Sequence, residues 1–158
     1  MRVGLGYDVH RLTAGRRLVL GGVEIPSAQG LDGHSDADVV VHALSDALLG
    51  AAALGDIGQH FPPSDPSFKN VSSLYLLHQV VGMLTTEGYR VVNVDVMVIA
   101  ERPTLAPYVN QIRSGLAHVL EVPEQSVSVK ATTNEGLGPE GRREGISAQA
   151  VALLERIE

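Results

Sequence analysis

Residues 34–58, HSDADVVVHALSDALLGAAALGDIG, decide how this chain is read. Ser35 and Asp38 fit the Ser-x-x-Asp form of a helix N-terminus, in which each side chain can satisfy a free backbone N–H near the other. The run of Val, Ala and Leu behind them predicts a buried helix ending near Gly55. His42 lies on that helix. Asp38 and Asp46 stand four residues before and after it, so the three fall near one face. A histidine between two carboxylates on an otherwise apolar helix is costly to bury without partners. A metal ion would account for it.

Working outward, residues 1–10, MRVGLGYDVH, read as an opening strand. On a strand, i and i+2 face the same side, so Asp8 and His10 project together and His42 can meet them from the helix. Two imidazoles and one carboxylate leave a fourth position open, the pattern of a working zinc site.

Composition narrows the chemistry. The 158 residues suit one domain over 1–158 with its own core, and a hydrophobic content of 44% excludes a disordered chain. No stretch approaches the ~20 apolar residues of a membrane helix, and the N-terminus lacks the pattern of a secretory signal. There are no cysteines, which leaves His, Asp and Glu as metal ligands and is compatible with the cytosol. The net charge of −6 opposes nucleic acid and other polyanions. A phosphorylated substrate would need local devices: metal ions, backbone N–H nests and an arginine or two.

Taken in order, residues 11–30 read as a hairpin-like excursion turning at Gly21-Gly22. His34 precedes the long helix as a surface loop residue or a site residue. Residues 55–66 are a loop by composition, where Asp56 is either turn chemistry or a contact to a sugar-like hydroxyl. Residues 70–87 predict a second helix through Val71, Leu74, Leu77, Val81 and Leu84, closed by Gly88. Residues 91–100 predict a central strand. Residues 108–120 predict a third helix with Val109, Ile112, Leu116 and Val119 as its stripe. Residues 125–130 alternate as a strand. The following Thr132-Thr133-Asn134-Glu135-Gly136 is either a phosphate-and-metal cradle or a Thr-rich turn with a solvated Glu. Residues 146–157 fit a helix or a strand. The order predicts an α+β fold, a sheet with helices gathered on one face, whose bare face invites self-association.

Across the whole chain the motifs resemble one family. Asp8-x-His10, His34-Ser35-Asp36-x-Asp38-x-x-x-His42-Ala43-Leu44, Asp46-Ala47-Leu48-Leu49-Gly50-Ala51, Gly55-Asp56-Ile57-Gly58, Lys130-Ala131-Thr132-Thr133-x-Glu135 and Gly141-Arg142-x-Glu144-Gly145 are similar to those of the 2-C-methyl-D-erythritol 2,4-cyclodiphosphate synthases. The resemblance implies a mixed four-stranded sheet with helices on one face, of the chorismate-mutase-like or ferredoxin-like kind. It implies a homotrimer with sheets around the threefold axis and a final segment that is a strand. It implies a cyclising phosphorus–oxygen lyase of the non-mevalonate isoprenoid pathway, acting on 4-diphosphocytidyl-2-C-methyl-D-erythritol 2-phosphate. The compartment would be the bacterial cytoplasm or a plastid stroma.

The same resemblance assigns residues. Asp8, His10 and His42 would hold zinc, and Glu135 magnesium or manganese. His34 and Thr133 would stabilise the transition state, and Ser35 would hold the 2-phosphate. Asp56 and Gly58 would meet the erythritol hydroxyls, with Ile57, Phe61 and Asp65 also among the substrate-binding positions. Ala100, Leu105 and Ala106, with Thr132, would form the cytidine pocket from a neighbouring subunit. Arg142 would stand near the phosphate of an isoprenoid diphosphate on the threefold axis. Asp46 is expected from its spacing to orient His42. Three positions depart from the family pattern: Pro63 for a common Asp, Thr104 for a common Lys, and Pro139 for an aromatic. Two other readings compete: a zinc hydrolase of phosphoesters or amides, and a non-catalytic trimeric scaffold.

Overall fold

In the computed structural model, which describes residues 1–158, the elements in chain order are β1 (Arg2–Ala14), β2 (Leu18–Leu20), β3 (Val23–Ile25), β4 (Gln29–Leu31), α1 (Val39–Ala52), α2 (Ile57–His60), α3 (Ser73–Thr86), β5 (Tyr89–Ile99), α4 (Val109–Leu120), β6 (Val127–Thr132), α5 (Gly138–Gly141) and β7 (Gly145–Arg156). Helix α1 is buried on almost every side, as its composition demands. Its His42, Asp46 and Gly50, spaced at four-residue steps, form the one stripe that is not buried. The cap differs from the expected one. Asp38, not Ser35, is the N-cap, and its carboxylate accepts from Val41 N. The same carboxylate accepts from Gly21 N at 2.9 Å and Gly22 N at 2.7 Å. It therefore ties the β2–β3 turn to the start of α1. That turn has φ of 59° and 77° at Gly21 and Gly22, the left-handed pair that a two-residue hairpin requires.

The main sheet has five strands in the order β4-β1-β7-β5-β6, with β2 and β3 as a separate ribbon. This corrects the four strands that the resemblance implied. The extra strand, β4, is the short Gln-Gly-Leu segment, which carries no strand signal and pairs only with Leu12–Ala14 at the end of β1. β5 and β6 run parallel, joined through α4, and the other pairings are antiparallel. The last segment is a strand, and it is central. Ile146, Ala148, Ala150, Ala152 and Leu154 are all buried at a period of two.

Close approach of helix to sheet sets up everything that follows. Gly4 and Gly6 face α1, and a Cβ on either would run into the backbone carbonyl of Ala47 or Ala43. Their bare backbone lets α1 lie almost against β1, so that Asp8 and His10, next on the same face, come within reach of His42. Val94, Val96, Val98, Val127 and Val129 continue that face under α3 and α4. The opposite face carries Val3 (69% exposed), Leu5 (71%), Tyr7 (52%), Val9 (46%) and Val151 (44%). No helix is long and apolar enough to cross a membrane.

Candidate functional site

The strand and the helix bring Asp8, His10 and His42 together, as their spacing predicted. Asp8 Oδ2 lies 2.9 Å from His10 Nε2 and 3.1 Å from His42 Nδ1, and the two ring nitrogens are 3.3 Å apart. Bonds of about 2.0–2.1 Å to a tetrahedral ion separate ligand atoms by about 3.3 Å. The three atoms thus converge as one face of such a site.

Each ring is also held from behind. His10 Nδ1 is 2.7 Å from the carbonyl oxygen of Asp32. His42 Nε2 is 2.9 Å from Ser73 Oγ and 3.2 Å from Ser35 Oγ. Asp46, expected behind His42, is elsewhere: its carboxylate accepts from Ile57 N at 2.7 Å and caps the turn at α2. Ser73 at the start of α3 is the residue that sequence reasoning missed. A serine opening a helix has an ordinary explanation as a cap, so nothing local marked it.

The electrostatics follow from the geometry. Burial alone would raise the Asp8 carboxyl, but its hydrogen bonds to His10 and His42 and the charge on those rings outweigh it, and it is lowered to about 2. Burial pulls His10 down, while the hydrogen bond and charge of Asp8, with help from Asp32, push it up, and the net shift is upward.

Around the triad lies a cavity of about 270 Å³ whose walls also include His34, Ser35, Ile57, Gly58 and Phe61. Pro63 lies on the same wall. Two expected residues are turned to local work. Asp56 caps α2, accepting from Gln59 N at 3.0 Å and from Gln59 Nε2 at 2.6 Å, and Asp65 accepts from Ser67 N at 2.9 Å.

The remaining expected residues lie apart. Ala100, Leu105, Ala106, Thr132 and Thr133 line a second cavity of about 380 Å³, beside Thr104. The register runs Val9, Ser147, Ile99, Thr132 across β1, β7, β5 and β6. Three strand spacings place Thr132 about 14 Å from Val9. Thr132 also shares its sheet face with Val9, whereas Asp8 and His10 point to the opposite, helix-covered face. Glu135 sits in a run of eight exposed residues, 130–137. The backbone N–H groups of Asn134 and Gly136 there donate to one oxygen of Glu101, at 3.0 and 3.2 Å. Arg142 is exposed and paired with Glu144 at 3.2 Å.

Comparisons with known proteins agree with one another. The model of the YgbB family matches residues 1–155. The 2-C-methyl-D-erythritol 2,4-cyclodiphosphate synthase of Syntrophomonas wolfei is 64% identical over 156 residues, 99% of each chain. That of Symbiobacterium thermophilum is 63% identical over 154 residues, 98% of each. Among solved structures, the bifunctional IspDF from Campylobacter jejuni superposes with a TM-score of 0.96 at 41% identity, with 99% of this chain matching 42% of that one. A 2C-methyl-D-erythritol-2,4-cyclodiphosphate synthase in a CDP-bound form superposes with a TM-score of 0.90 at 36% identity, over 98% of this chain and 100% of that one.

Proposed function

This chain belongs to the YgbB family, and from that premise we infer that it converts 4-diphosphocytidyl-2-C-methyl-D-erythritol 2-phosphate to 2-C-methyl-D-erythritol 2,4-cyclodiphosphate and cytidine monophosphate. It is a cyclising lyase of the non-mevalonate isoprenoid pathway. An oxygen of the 2-phosphate forms a bond to the β-phosphorus. The bond from that phosphorus to the bridging oxygen breaks, and cytidine monophosphate departs with the electron pair.

The nucleophile is already an anion, so no strong general base is needed. The difficulty is holding two anions in line, on a protein that is itself negative. Positioning and charge neutralisation supply nearly all the catalysis in such transfers. The observation that carries the reading at the site is the convergence of Asp8 Oδ2, His10 Nε2 and His42 Nδ1 beside a cavity. Their nitrogen and oxygen donor set fits zinc, and such an ion would polarise a β-phosphate oxygen. On the same wall Ser35 offers a donor to the 2-phosphate, His34 stabilises the transition state, and Ile57 and Gly58 take the erythritol.

The cytidine end falls to residues 100–106 with Thr132, and Thr133 and Glu135 serve the diphosphate, with Glu135 a ligand for magnesium or manganese. In one chain these groups stand on another part of the sheet from the triad. The reading therefore includes a homotrimer, in which the cradle of one subunit faces the triad of the next. The exposed row of Val3, Leu5, Tyr7 and Val9 supports it, since it gives the bare sheet face an apolar surface to bury. An isoprenoid diphosphate on the axis near Arg142 belongs to the same proposal.

Phosphorus NMR of the protein with this substrate, zinc and magnesium tests the reaction. Two coupled ring phosphates appearing with cytidine monophosphate are expected. Linear phosphates alone would overturn it.

A further inference from the structure

We propose that Asp36 and Ser73 fix which nitrogen of His42 is free to bind a metal. The inference rests on the reading of Asp8, His10 and His42 as ligands. It begins with donors and acceptors. Ser73 is fully buried at the first residue of α3. Its hydroxyl donates to Asp36 Oδ1, and its backbone N–H donates to Asp36 Oδ2 at 2.9 Å. Asp36 is itself fixed, accepting from Asp38 N at 3.2 Å.

A hydroxyl has one proton, and a carboxylate can only accept. With that proton given to Asp36, Ser73 Oγ can only accept from His42 Nε2, 2.9 Å away. Nε2 must then carry the ring hydrogen, and Nδ1 keeps its lone pair. Nδ1 is the atom that faces Asp8 and His10. The two histidines reach the same end by different routes. His10 is held by the backbone carbonyl of Asp32, which leaves its Nε2 free, whereas His42 depends on side chains 31 and 6 residues away in sequence. Partners behind a ligating histidine commonly set its tautomer and orientation. A further consequence falls on Ser35. Its Oγ accepts from Ala37 N at 3.2 Å and lies 3.2 Å from His42 Nε2. Since that ring nitrogen carries the hydrogen, the Ser35 hydroxyl proton stays available to an incoming phosphate.

The test uses the full-length protein with ring nitrogens labelled. Nitrogen NMR of the metal-free protein at about pH 8.5, above the ordinary histidine range, reads the tautomer of His42. Zinc affinity is measured in parallel by competition with a chelator. Wild type is expected to hold His42 with hydrogen on Nε2. Ser73→Ala is expected to mix the two tautomers and weaken zinc binding by roughly 10–100-fold. Asp36→Asn, which keeps the packing and serves if Ser73→Ala does not fold, lets Ser73 donate to the ring and shifts His42 the same way. Wild-type His42 with hydrogen on Nδ1 would overturn the proposal, as would an unshifted tautomer in both variants. Zinc bound as tightly by His42→Ala as by wild type would overturn instead the ligand reading beneath it, while the tautomer measurement still decides the role of Ser73.

Discussion

The triad and the 131–137 cradle are built on opposite plans. Asp8, His10 and His42 come from a strand and a helix pressed together, each ring is held on its far nitrogen, and all three are partly buried. The cradle begins in the last two residues of an edge strand, and every residue from Ala131 to Leu137 is exposed. Its backbone donors at Asn134 and Gly136 turn to Glu101 in the same chain. One half is complete within a single chain. The other presents its chemistry to whatever approaches it. In our reading, metal affinity is a property of the chain and turnover is a property of the assembly.

The largest effect expected tests the first half. His42→Ala should lower kcat by about 10²–10³-fold or more, the scale of removing a group that stabilises developing charge. Zinc titration should show the metal lost with it. Retained zinc with lost turnover would mean that His42 works on substrate and not on a metal.

Leu5→Asp attacks the proposed trimer and leaves the triad alone. Leu5 is 71% exposed on the bare face of the sheet, three positions before Asp8 and on the opposite face from it. An ionised carboxylate buried in an apolar interface costs several kcal/mol. Sedimentation should show subunits falling apart, and turnover should fall in proportion, while each chain keeps its zinc affinity. A fully active monomer would break the comparison. A more local probe is Thr133→Ala, which should cost about 10²-fold in kcat, the low end for losing one transition-state donor, at unchanged zinc affinity. If zinc binding weakened too, the two halves would be coupled within one chain.

Legibility in the sequence divides along the same line. The elements with strong periodicity, α1, α3, α4, β5 and β6, lie where their apolar patterns predicted, because burial on one face leaves a repeat. Asp8, His10 and His42 were legible because i, i+2 spacing and a polar residue on an apolar helix are both costly unless used. Strand β4 was not legible: three residues pair through backbone alone. Asp46 misled, because four-residue spacing gives proximity on a helix but not the direction in which a carboxylate spends its lone pairs, and Ile57 N was nearer. Asp38 misled likewise, since the glycine turn that claims it is seventeen residues away. The direction of residues 146–157 needed the family resemblance, because an Ala-rich alternating segment suits either element until two neighbouring strands enclose it.

The smallest effect concerns pH, and it arises from the competition between proton and metal at one half only. In the metal-free protein Asp8 is lowered to about 2, and His10 is raised. The sign for stability is then fixed. The pairing contributes fully between the ordinary values of the two groups, ~3.9 for the carboxyl and ~6.5 for the imidazole. It is lost as pH falls through the Asp8 value and also as pH rises through the His10 value. Metal binding needs the opposite state of His10, with the proton gone. Zinc affinity should therefore be flat at high pH and fall by up to about tenfold per unit below the His10 value for each proton displaced, with the fall beginning above the ~6.5 of an unperturbed histidine. Calorimetry in buffers of different ionisation enthalpy counts that proton directly. Asp8→Asn removes the charge that holds it, so its weaker binding should stay flat to a lower pH. An onset unmoved by Asp8→Asn would mean that the proton displaced by zinc does not come from His10.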